Sequence, residues 1–342
     1  MNHSIYQLLW YFLIYSFVGW CLEIVYAAVR KRRFLNRGIL NGPLCPVYGL
    51  GMIFSLIFFR SLTNNFVFLV IGCGAVATVV EFFTGILLAL PIIGKKSIVE
   101  YEGRLESSRY VDMTIQTMKD FGVSIKITEK GFSYEAGEFY TRPLGNRYET
   151  EGDWSNAAFF IVADALMRYK HGCKEAYIRV SGLNEQSLQG DKKITDIAEE
   201  AISNSEIGRV SEMDASEVPD LVPVTAVLYS LIKGRHVIKN AGRLRIKESD
   251  RLNTICTVLN TIGADIEELP DGLVINGRER LKGGQIVNSF GDHRIAMSLA
   301  IAGLFCEEPI IIEGAESVNK SYPGFFEDYR NLGGSADVMP DR

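Results

Sequence analysis

The sequence lacks the short motifs that mark the commonest nucleotide-binding and hydrolytic enzymes. It contains no G-x-G-x-x-G turn, no Walker lysine loop and no G-x-S-x-G elbow, which argues against dinucleotide-binding, P-loop and serine-hydrolase chemistry. Positive charge is also in short supply, because 36 lysines and arginines are outnumbered by 41 aspartates and glutamates. A chain with a net charge of -5 gives no electrostatic case for nucleic acid as a partner.

Cysteine is scarce and shows no functional pattern. The six cysteines form no C-x-x-C pair and no Cys/His ligand spacing, so neither a metal site nor a disulfide framework is predicted. Cys21, Cys45 and Cys73 lie in apolar sequence, where a reduced and buried thiol is the expected state.

Long apolar runs are abundant, but nearly all of them lie before residue 94. Runs 5–29 and 66–93 are each long enough to cross about 30 Å of hydrocarbon. The run 44–59 is shorter and carries Pro46. We therefore predict about three transmembrane helices, followed by a soluble part of ordinary composition.

The orientation of these helices follows from the charges between them. The first loop, from Arg30 to Arg37, holds five basic residues, whereas the loop around 60–65 holds one. The positive-inside rule then places the first loop in the cytoplasm. Three crossings return the chain to that side, so we expect a multi-pass membrane protein whose C-terminal soluble part is cytoplasmic.

Two segments of the apolar part resemble a known family. They are F-L-N-R-G-I-L-N-G-P-L-C-P-V-Y-G-L-G from Phe34 and E-F-F-T-G-I-L-L from Glu81. Both are similar to a small bacterial membrane family described as type IV ABC-transporter permeases, over about residues 5–90. The resemblance implies a permease-like membrane segment without a defined activity.

After residue 96 the pattern changes to short β-rich runs that alternate with amphipathic helices, which predicts an α/β fold of repeated β/α units. The expected helices are Val111–Phe121, Ala157–Tyr169 and Pro223–Ile232. The expected strands are Ser124–Thr128, Ala176–Val180 and Val237–Lys239.

The densest charge cluster is R-L-R-I-K-E-S-D-R-L, from Arg243 to Leu252. Apolar residues then recur at spacings of three and four, so a helix is predicted to begin near Ser249 or Asp250 and to end at Gly263. Charged side chains would gather at its N-terminus, where free N–H groups and the helix dipole favour an anion. A solvated cap with salt bridges fits these ten residues equally well.

Four further clusters follow in order through the soluble part. They are E-S-S-R-Y-V-D-M-T from Glu106; E-G-D-W-S-N-A-A from Glu151 with S-L-Q-G-D from Ser187; E-V-P-D from Glu217; and F-G-D-H-R-I-A-M from Phe290, followed by N-K-S-Y-P-G-F-F from Asn319. Each alone also fits a cap, a turn or a strand end. Together with R-I-K-E-S-D-R they resemble, in order and spacing, the C-terminal part of the EPSP synthase family over about residues 97–342.

This second resemblance implies a fold and a reaction. The family has two domains of repeated β/α units, an inside-out α/β barrel, with its active site in the cleft between them. It transfers the enolpyruvyl group of phosphoenolpyruvate to the 5-hydroxyl of shikimate 3-phosphate without metal or organic cofactor. In this chain we expect a transmembrane domain at 1–94, a remnant of the second enolpyruvyltransferase domain at 95–150, and the main domain at 151–342.

The same resemblance implies roles for individual residues. Asp220 matches the carboxylate at the shikimate hydroxyl, Lys247 the lysine beside it, and Glu248 the residue that handles the proton at the enolpyruvyl carbon. His293 is expected to orient its loop rather than to act directly in catalysis. The matched substrate contacts are Arg251, Arg294 and Lys320 for phosphoenolpyruvate, and Ser107 and Tyr110 for shikimate 3-phosphate.

The resemblance also implies an incomplete cleft, since a complete family member is longer at the N-terminus by most of one domain. We therefore expect weak substrate affinity and little phosphate release, with a possible role for a partner chain that covers the incomplete cleft. Alternative interpretations are a related enzyme acting on UDP-N-acetylglucosamine, and a non-enzymatic membrane protein that carries an inactive remnant. A gene fusion or an assembly product would also give this sequence.

Overall fold

The computed structural model describes residues 84–101, 108–143, 145 and 147–339. Packing divides the chain into two compact units, Met1–Glu81 and Phe82–Arg342, and all the described residues belong to the second. The predicted spans 5–29 and 44–59 and most of 66–93 lie outside the described residues. Within the described part, no helix combines the length and the apolar character that a membrane crossing requires.

Residues 84–93 are helical and form α1. Leu87 and Leu90 of this helix are buried in a core that they share with Met118 and Phe132 of the soluble part. The sequence predicted residues 84–93 as the end of a transmembrane helix, whereas they pack on a β/α unit. An apolar run alone does not separate a membrane helix from a buried one, because both require continuous apolar surface.

A small antiparallel sheet follows α1, with strand β3 between β1 and β2. Its elements are β1 (Ser97–Glu100), α2 (Ser108–Asp120), β2 (Ile125–Thr128) and β3 (Gly131–Tyr134). The buried side chains of α2 pack on the same core as those of α1. This packing holds α2, which carries Tyr110 in its first turn, against the small sheet.

The larger part of the unit is built on a four-stranded mixed sheet in the order β4-β5-β7-β6. Its strands are β4 (Ser211–Asp214), β5 (Gly234–Lys239), β6 (Ile266–Leu269) and β7 (Gly272–Gly277). Strands β4 and β5 are parallel, whereas β7 is antiparallel to both of its neighbours. Two short parallel pairs complete the strands of the described part: β8 (Leu281–Gly283) with β10 (Cys306–Glu308), and β9 (Ile286–Asn288) with β11 (Ile311–Glu313).

Helices supply most of the main core. They are α3 (Trp154–His171), α4 (Ile194–Ile207), α5 (Val222–Leu231), α6 (Arg251–Thr261), α7 (His293–Gly303) and α8 (Phe325–Asn331). The α5 segment is V-P-V-T-A-V-L-Y-S-L, which contains no charged residue, and all ten of its residues are buried. A helix that is apolar on every face belongs in the middle of a core. Helix α5 lies there, in contact with α3, α7 and β7.

Most of the predicted elements of the soluble part are present, with ends shifted by a few residues. The helix predicted to begin near Ser249 or Asp250 is α6, and Asp250 caps it by accepting a hydrogen bond from the Asn253 N–H at 3.1 Å. The strand predicted at Ala176–Val180 is wrong, because this segment is irregular. The N–H groups of Tyr177 and Ile178 donate to the carboxylate of Asp164 on α3, at 2.7 and 2.9 Å, instead of to a neighbouring strand.

Candidate active site

The charge cluster around the start of α6 is assembled by three local features of the sequence. A short 3-10 helix, Gly242–Ile246, precedes it and leads into Lys247, which has an extended backbone. Asp250 then caps α6, so Arg251 is the first helical residue. This arrangement places Lys247, Glu248 and Arg251 close together at one helix end.

Arg251 is the centre of the site. Its side chain is 1% exposed, and each of its nitrogens contacts a carboxylate. Nη1 lies 2.7 Å from Asp220, Nη2 lies 2.6 Å from Glu248, and Nε lies 2.7 Å from Asp292. The solvated-cap interpretation is therefore wrong for Arg251, whereas the side chains of Glu248 and Lys247 are 40% and 31% exposed.

Two cations besides Arg251 lie close to Asp220. It lies in the 3-10 turn Pro219–Leu221 at the start of α5, with Arg294 Nη2 at 3.3 Å and Lys247 Nζ at 3.7 Å. Burial alone would raise its pKa, but Arg294, Lys247 and Arg251 outweigh burial and lower the pKa to about 2. Asp220 is therefore an ionised carboxylate with three cations around it at neutral pH.

Asp292 joins the site from the other side. It caps α7 by accepting the Arg294 N–H at 2.9 Å, and its second oxygen accepts Arg251 Nε and the Ser249 hydroxyl at 3.2 Å. Burial would raise its pKa, but Arg251 outweighs burial and lowers it. His293 follows on α7 with Nδ1 buried and without a hydrogen-bond partner. Burial and then Arg294 lower the pKa of His293, so the ring is neutral.

Lys320 lies at the end of the 3-10 helix Ala315–Lys320. Its exposed ammonium group donates to the carbonyl of Gly291 at 2.7 Å, in the loop that carries Asp292 and Arg294. The two C-terminal motifs, F-G-D-H-R-I-A-M and N-K-S-Y-P-G-F-F, are therefore in contact.

The small sheet contributes Tyr110 from the first turn of α2. Burial raises its pKa to about 12, with further contributions from Asp220 and Asp191 that Arg294 opposes. Its hydroxyl is thus protonated and lies in the electrostatic environment of the site. The neighbouring Ser108 hydroxyl donates to Glu217 at 3.3 Å, which links α2 to the turn that holds Asp220. Ser107 lies outside the described residues.

The cluster E-G-D-W-S and the cluster S-L-Q-G-D contact each other and support the site. The Glu151 carboxylate accepts hydrogen bonds from Ser187 Oγ and Gln189 Nε2, at 2.7 and 2.9 Å. Gln189 Oε1 accepts the N–H of Trp154, the first residue of α3. The turn that these bonds fix carries Asp191, whose buried carboxyl faces Arg294 and Asp220 and has a pKa that burial raises.

Sequence reasoning missed Asp191, Asp292 and Glu217 as members of the site. Each lies in one of the sequence clusters described above. Asp292 could have been predicted as a helix cap, because it lies directly before a helix and aspartate is a preferred residue there. Within the described ranges, no group of three or more His, Cys, Asp or Glu side chains is arranged to hold a metal ion. The carboxylates of Asp220, Glu248 and Asp292 instead contact Arg251.

The model of the EPSP synthase (3-phosphoshikimate 1-carboxyvinyltransferase) family matches residues 75–329. The protein of that name from Clostridium novyi (strain NT) is 44% identical over 269 residues, which cover 75% of this chain and 59% of the relative.

The chain belongs to the EPSP synthase family. A second curated relative with the same name, from Clostridioides difficile (strain 630), is 41% identical over 271 residues and is covered over 59% of its length. The chain therefore spans about three fifths of the curated relatives that it matches.

Solved structures support the family fold. EPSP synthase from Acinetobacter baumannii superposes with a TM-score of 0.60 at 23% identity, over 75% of this chain and 61% of that one. The enolpyruvyl transferase NikO from Streptomyces tendae gives a TM-score of 0.52 at 15% identity, over 73% and 58%. The EPSP-synthase-like α/β fold that the motifs implied is thus confirmed for the described part of the chain.

A different family model, "Putative ABC-transporter type IV", matches residues 10–97. It overlaps the EPSP synthase match between residues 75 and 97, the stretch that includes α1. Both resemblances stated from the sequence therefore have a matching family model.

Proposed function

We propose that this chain transfers the enolpyruvyl group of phosphoenolpyruvate to the 5-hydroxyl of shikimate 3-phosphate. The observation that carries the proposal is the buried charge cluster, in which Arg251, Arg294 and Lys247 surround one ionised carboxylate, Asp220. The names of the curated relatives describe the same reaction. We do not propose UDP-N-acetylglucosamine as the substrate, because no contact in the described site favours it.

The proposed reaction requires one bond to form and one to break at the same carbon. The 5-hydroxyl oxygen adds to C2 of phosphoenolpyruvate while its proton leaves, and C3 gains a proton to become a methyl group. The resulting intermediate then loses phosphate from C2 and a proton from C3, which restores the enol double bond. An acid and base near C3, a base near the hydroxyl and cations for phosphate and carboxylate are therefore needed.

We assign these tasks to the residues of the cluster. Asp220 is assigned to the 5-hydroxyl, whose hydrogen its ionised carboxylate can accept, with Lys247 beside it. Glu248 is less buried than Asp220 and handles the proton at C3. The proposed substrate contacts are Arg251, Arg294 and Lys320 for phosphoenolpyruvate, and Ser107 and Tyr110 for shikimate 3-phosphate.

Phosphate release from the full chain tests this proposal. Incubation with both substrates is expected to release phosphate at a low rate, in line with the little release that the resemblance implies, whereas either substrate alone releases none. Glu248→Gln is expected to lower the rate by about 100-fold or more, because proton transfer by a positioned side chain typically contributes that much. Glu212→Gln on β4 is the matched control, since Glu212 is an exposed carboxylate paired with Lys239 away from the cluster.

Two outcomes would contradict the proposal. One is the absence of phosphate release together with the absence of phosphoenolpyruvate binding in a calorimetric titration. The other is a rate that is equal in the wild type and in Glu248→Gln, which would assign the release to a contaminating phosphatase.

We also propose that the part of the chain before α1 anchors the enzyme in a membrane, with the enolpyruvyltransferase part on the cytoplasmic side. The specific observations in favour are the long apolar run 5–29, the apolar residues 66–83, and the family model that matches residues 10–97. The basic loop from Arg30 to Arg37 supports the cytoplasmic orientation.

A further inference from the structure

One carboxylate, Asp292, contacts both arginines that the proposed function assigns to phosphoenolpyruvate. It is 0% exposed, and its two oxygens accept Arg251 Nε, the Arg294 N–H and the Ser249 hydroxyl. We propose that Asp292 is a positioning residue that sets the orientation of Arg251 and Arg294 together. This inference rests on the proposed function and adds a residue to which that function gives no task.

The contact with Arg251 fixes the plane of its guanidinium group. Asp292 binds the edge formed by Nε and Nη2, at 2.7 and 3.4 Å. A guanidinium group is planar and presents its donors in a rigid fork, so holding one edge determines where the other points. The remaining donors are thereby directed at Asp220 and Glu248, where the proposed substrate reacts.

The contact with Arg294 acts through the backbone. Asp292 has an extended backbone, with φ -97° and ψ 116°, and its side chain accepts the N–H of Arg294 as the cap of α7. A cap fixes the residue at which a helix begins, and hence the direction in which the first side chains leave it. Arg294 leaves α7 toward Asp220, with Nη2 at 3.3 Å from Oδ2 and Nη1 at 3.3 Å from the Asp220 carbonyl.

The two contacts differ in their need for charge, which allows them to be separated. Asparagine is as good a helix cap as aspartate. It carries no charge, however, and cannot balance a buried guanidinium group. Asp292→Asn therefore keeps the start of α7 and releases Arg251. Asp164→Asn is the matched control, because Asp164 on α3 is also a buried carboxylate that accepts an arginine Nε, that of Arg168 at 2.8 Å, together with backbone N–H groups, and it lies outside the proposed contacts.

Phosphoenolpyruvate binding to the full chain, measured by titration calorimetry, is the first readout. Asp292→Asn is expected to raise the Kd at least tenfold, and where turnover is measurable to raise KM for phosphoenolpyruvate more than it lowers kcat. Asp164→Asn is expected to leave the Kd within twofold. Equal affinity in the wild type and Asp292→Asn would overturn the proposal.

The second readout needs no substrate binding. Phenylglyoxal labelling followed by peptide mass spectrometry reports how accessible each arginine is. Arg251 is expected to react at least fivefold faster in Asp292→Asn than in the wild type or Asp164→Asn, and equal rates would overturn the proposal. If the wild type binds no phosphoenolpyruvate, the proposed function fails, while the labelling still decides the role of Asp292.

A second variant covers the case in which Asp292→Asn does not fold. Asp292→Glu keeps the charge but displaces the carboxylate by one methylene group, so a folded protein with misaligned arginines and at least tenfold weaker phosphoenolpyruvate binding is expected. Wild-type affinity in Asp292→Glu would show that the position of this carboxylate does not matter, and the proposal would be wrong.

Discussion

A fully buried arginine is rarely tolerated unless opposite charges surround it, and Arg251 meets that condition with three carboxylates. The cost of removing its charge from water is offset only as long as all partners are present. Removal of one charged side chain is therefore expected to destabilise the protein more than replacement of the whole cluster by apolar residues.

Arg251→Ala is expected to lower the free energy of unfolding by about 3–5 kcal/mol, because it leaves the Asp292 charge buried without its partner. Pulse proteolysis of the full chain in increasing urea measures this loss. Arg278→Ala removes an exposed pair with Asp265 and is expected to cost about 1 kcal/mol or less. Similar losses in the two variants would contradict the argument from burial.

His236 gives the stability of the unit a pH dependence. The ring is 0% exposed on β5, stacks on Tyr229 at 4.6 Å, and donates from Nε2 to the Ile232 carbonyl at 2.9 Å. Burial lowers its pKa, and the hydrogen bond to Ile232 opposes this only in part. Below about pH 6.5 the unfolded chain binds a proton that the folded ring resists, so stability falls as the pH falls.

His236→Phe is expected to reduce this pH dependence between pH 7 and pH 5. In the wild type each such histidine contributes a slope of at most about 1.4 kcal/mol per pH unit, and His293 acts in the same direction. Urea midpoints from pulse proteolysis at several pH values measure the slope. His171→Gln, at an exposed position, serves as the control. A slope unchanged in His236→Phe but reduced in His171→Gln would refute the assignment.

At the scale of elements, the apolar sequence of α1 fits either the end of a transmembrane helix or a helix packed in a protein core. Leu87 is 0% exposed in the core of the small sheet, whereas Leu88, the next residue, is 45% exposed. Leu87→Ala is expected to destabilise the small sheet by about 2–5 kcal/mol, the range for a leucine truncated in a core. Leu88→Ala is expected to have an effect of about 0.5 kcal/mol or less.

Hydrogen–deuterium exchange of the peptides that contain α2 and β3 measures this difference in the full chain. Faster exchange is expected in Leu87→Ala and wild-type exchange in Leu88→Ala. Wild-type exchange in both variants would contradict the packing of α1, and would favour the transmembrane helix that the sequence predicted.

Elements whose pattern is set by their own residues could be predicted from the sequence. Helix α6 has regular apolar spacing and an aspartate cap, and α5 is a charge-free run that only a core can bury. The failure at Ala176–Val180 has a tertiary cause, because the Asp164 carboxylate, more than ten residues away, takes the N–H groups that a strand would pair. Propensity does not report such a partner.

The site likewise combines features that the sequence predicts with features that depend on packing. The charged residues at the start of α6 could be predicted as a group because they are adjacent in sequence. The bridge from Arg251 to Asp292 joins residues 41 apart and depends on how α6 and α7 pack. Motif order indicated which segments belong to the family, but only their packing distinguishes a buried ion cluster from a solvated cap.

At the scale of the whole molecule, the proposed membrane anchor determines on which side of the membrane the enolpyruvyltransferase part lies. In the proposed arrangement, the positive-inside rule favours the cytoplasmic side for the enolpyruvyltransferase part. A partner chain that covers the cleft stays a prediction. The membrane anchor and its orientation can be tested together in cells.

The chain is expected to stay with membranes after alkaline carbonate extraction, and protease added to intact cells is expected to leave residues 97–342 uncut until the cells are permeabilised. Replacing the first four basic residues of the loop, Arg30→Gln, Lys31→Gln, Arg32→Gln and Arg33→Gln, weakens the charge bias and is expected to make part of the population accessible from outside. Replacing Lys192 and Lys193 in the same way, in the soluble part, controls for the loss of positive charge as such. Cleavage of the wild type from outside would reverse the orientation, and recovery of the wild type in the carbonate supernatant would exclude the anchor.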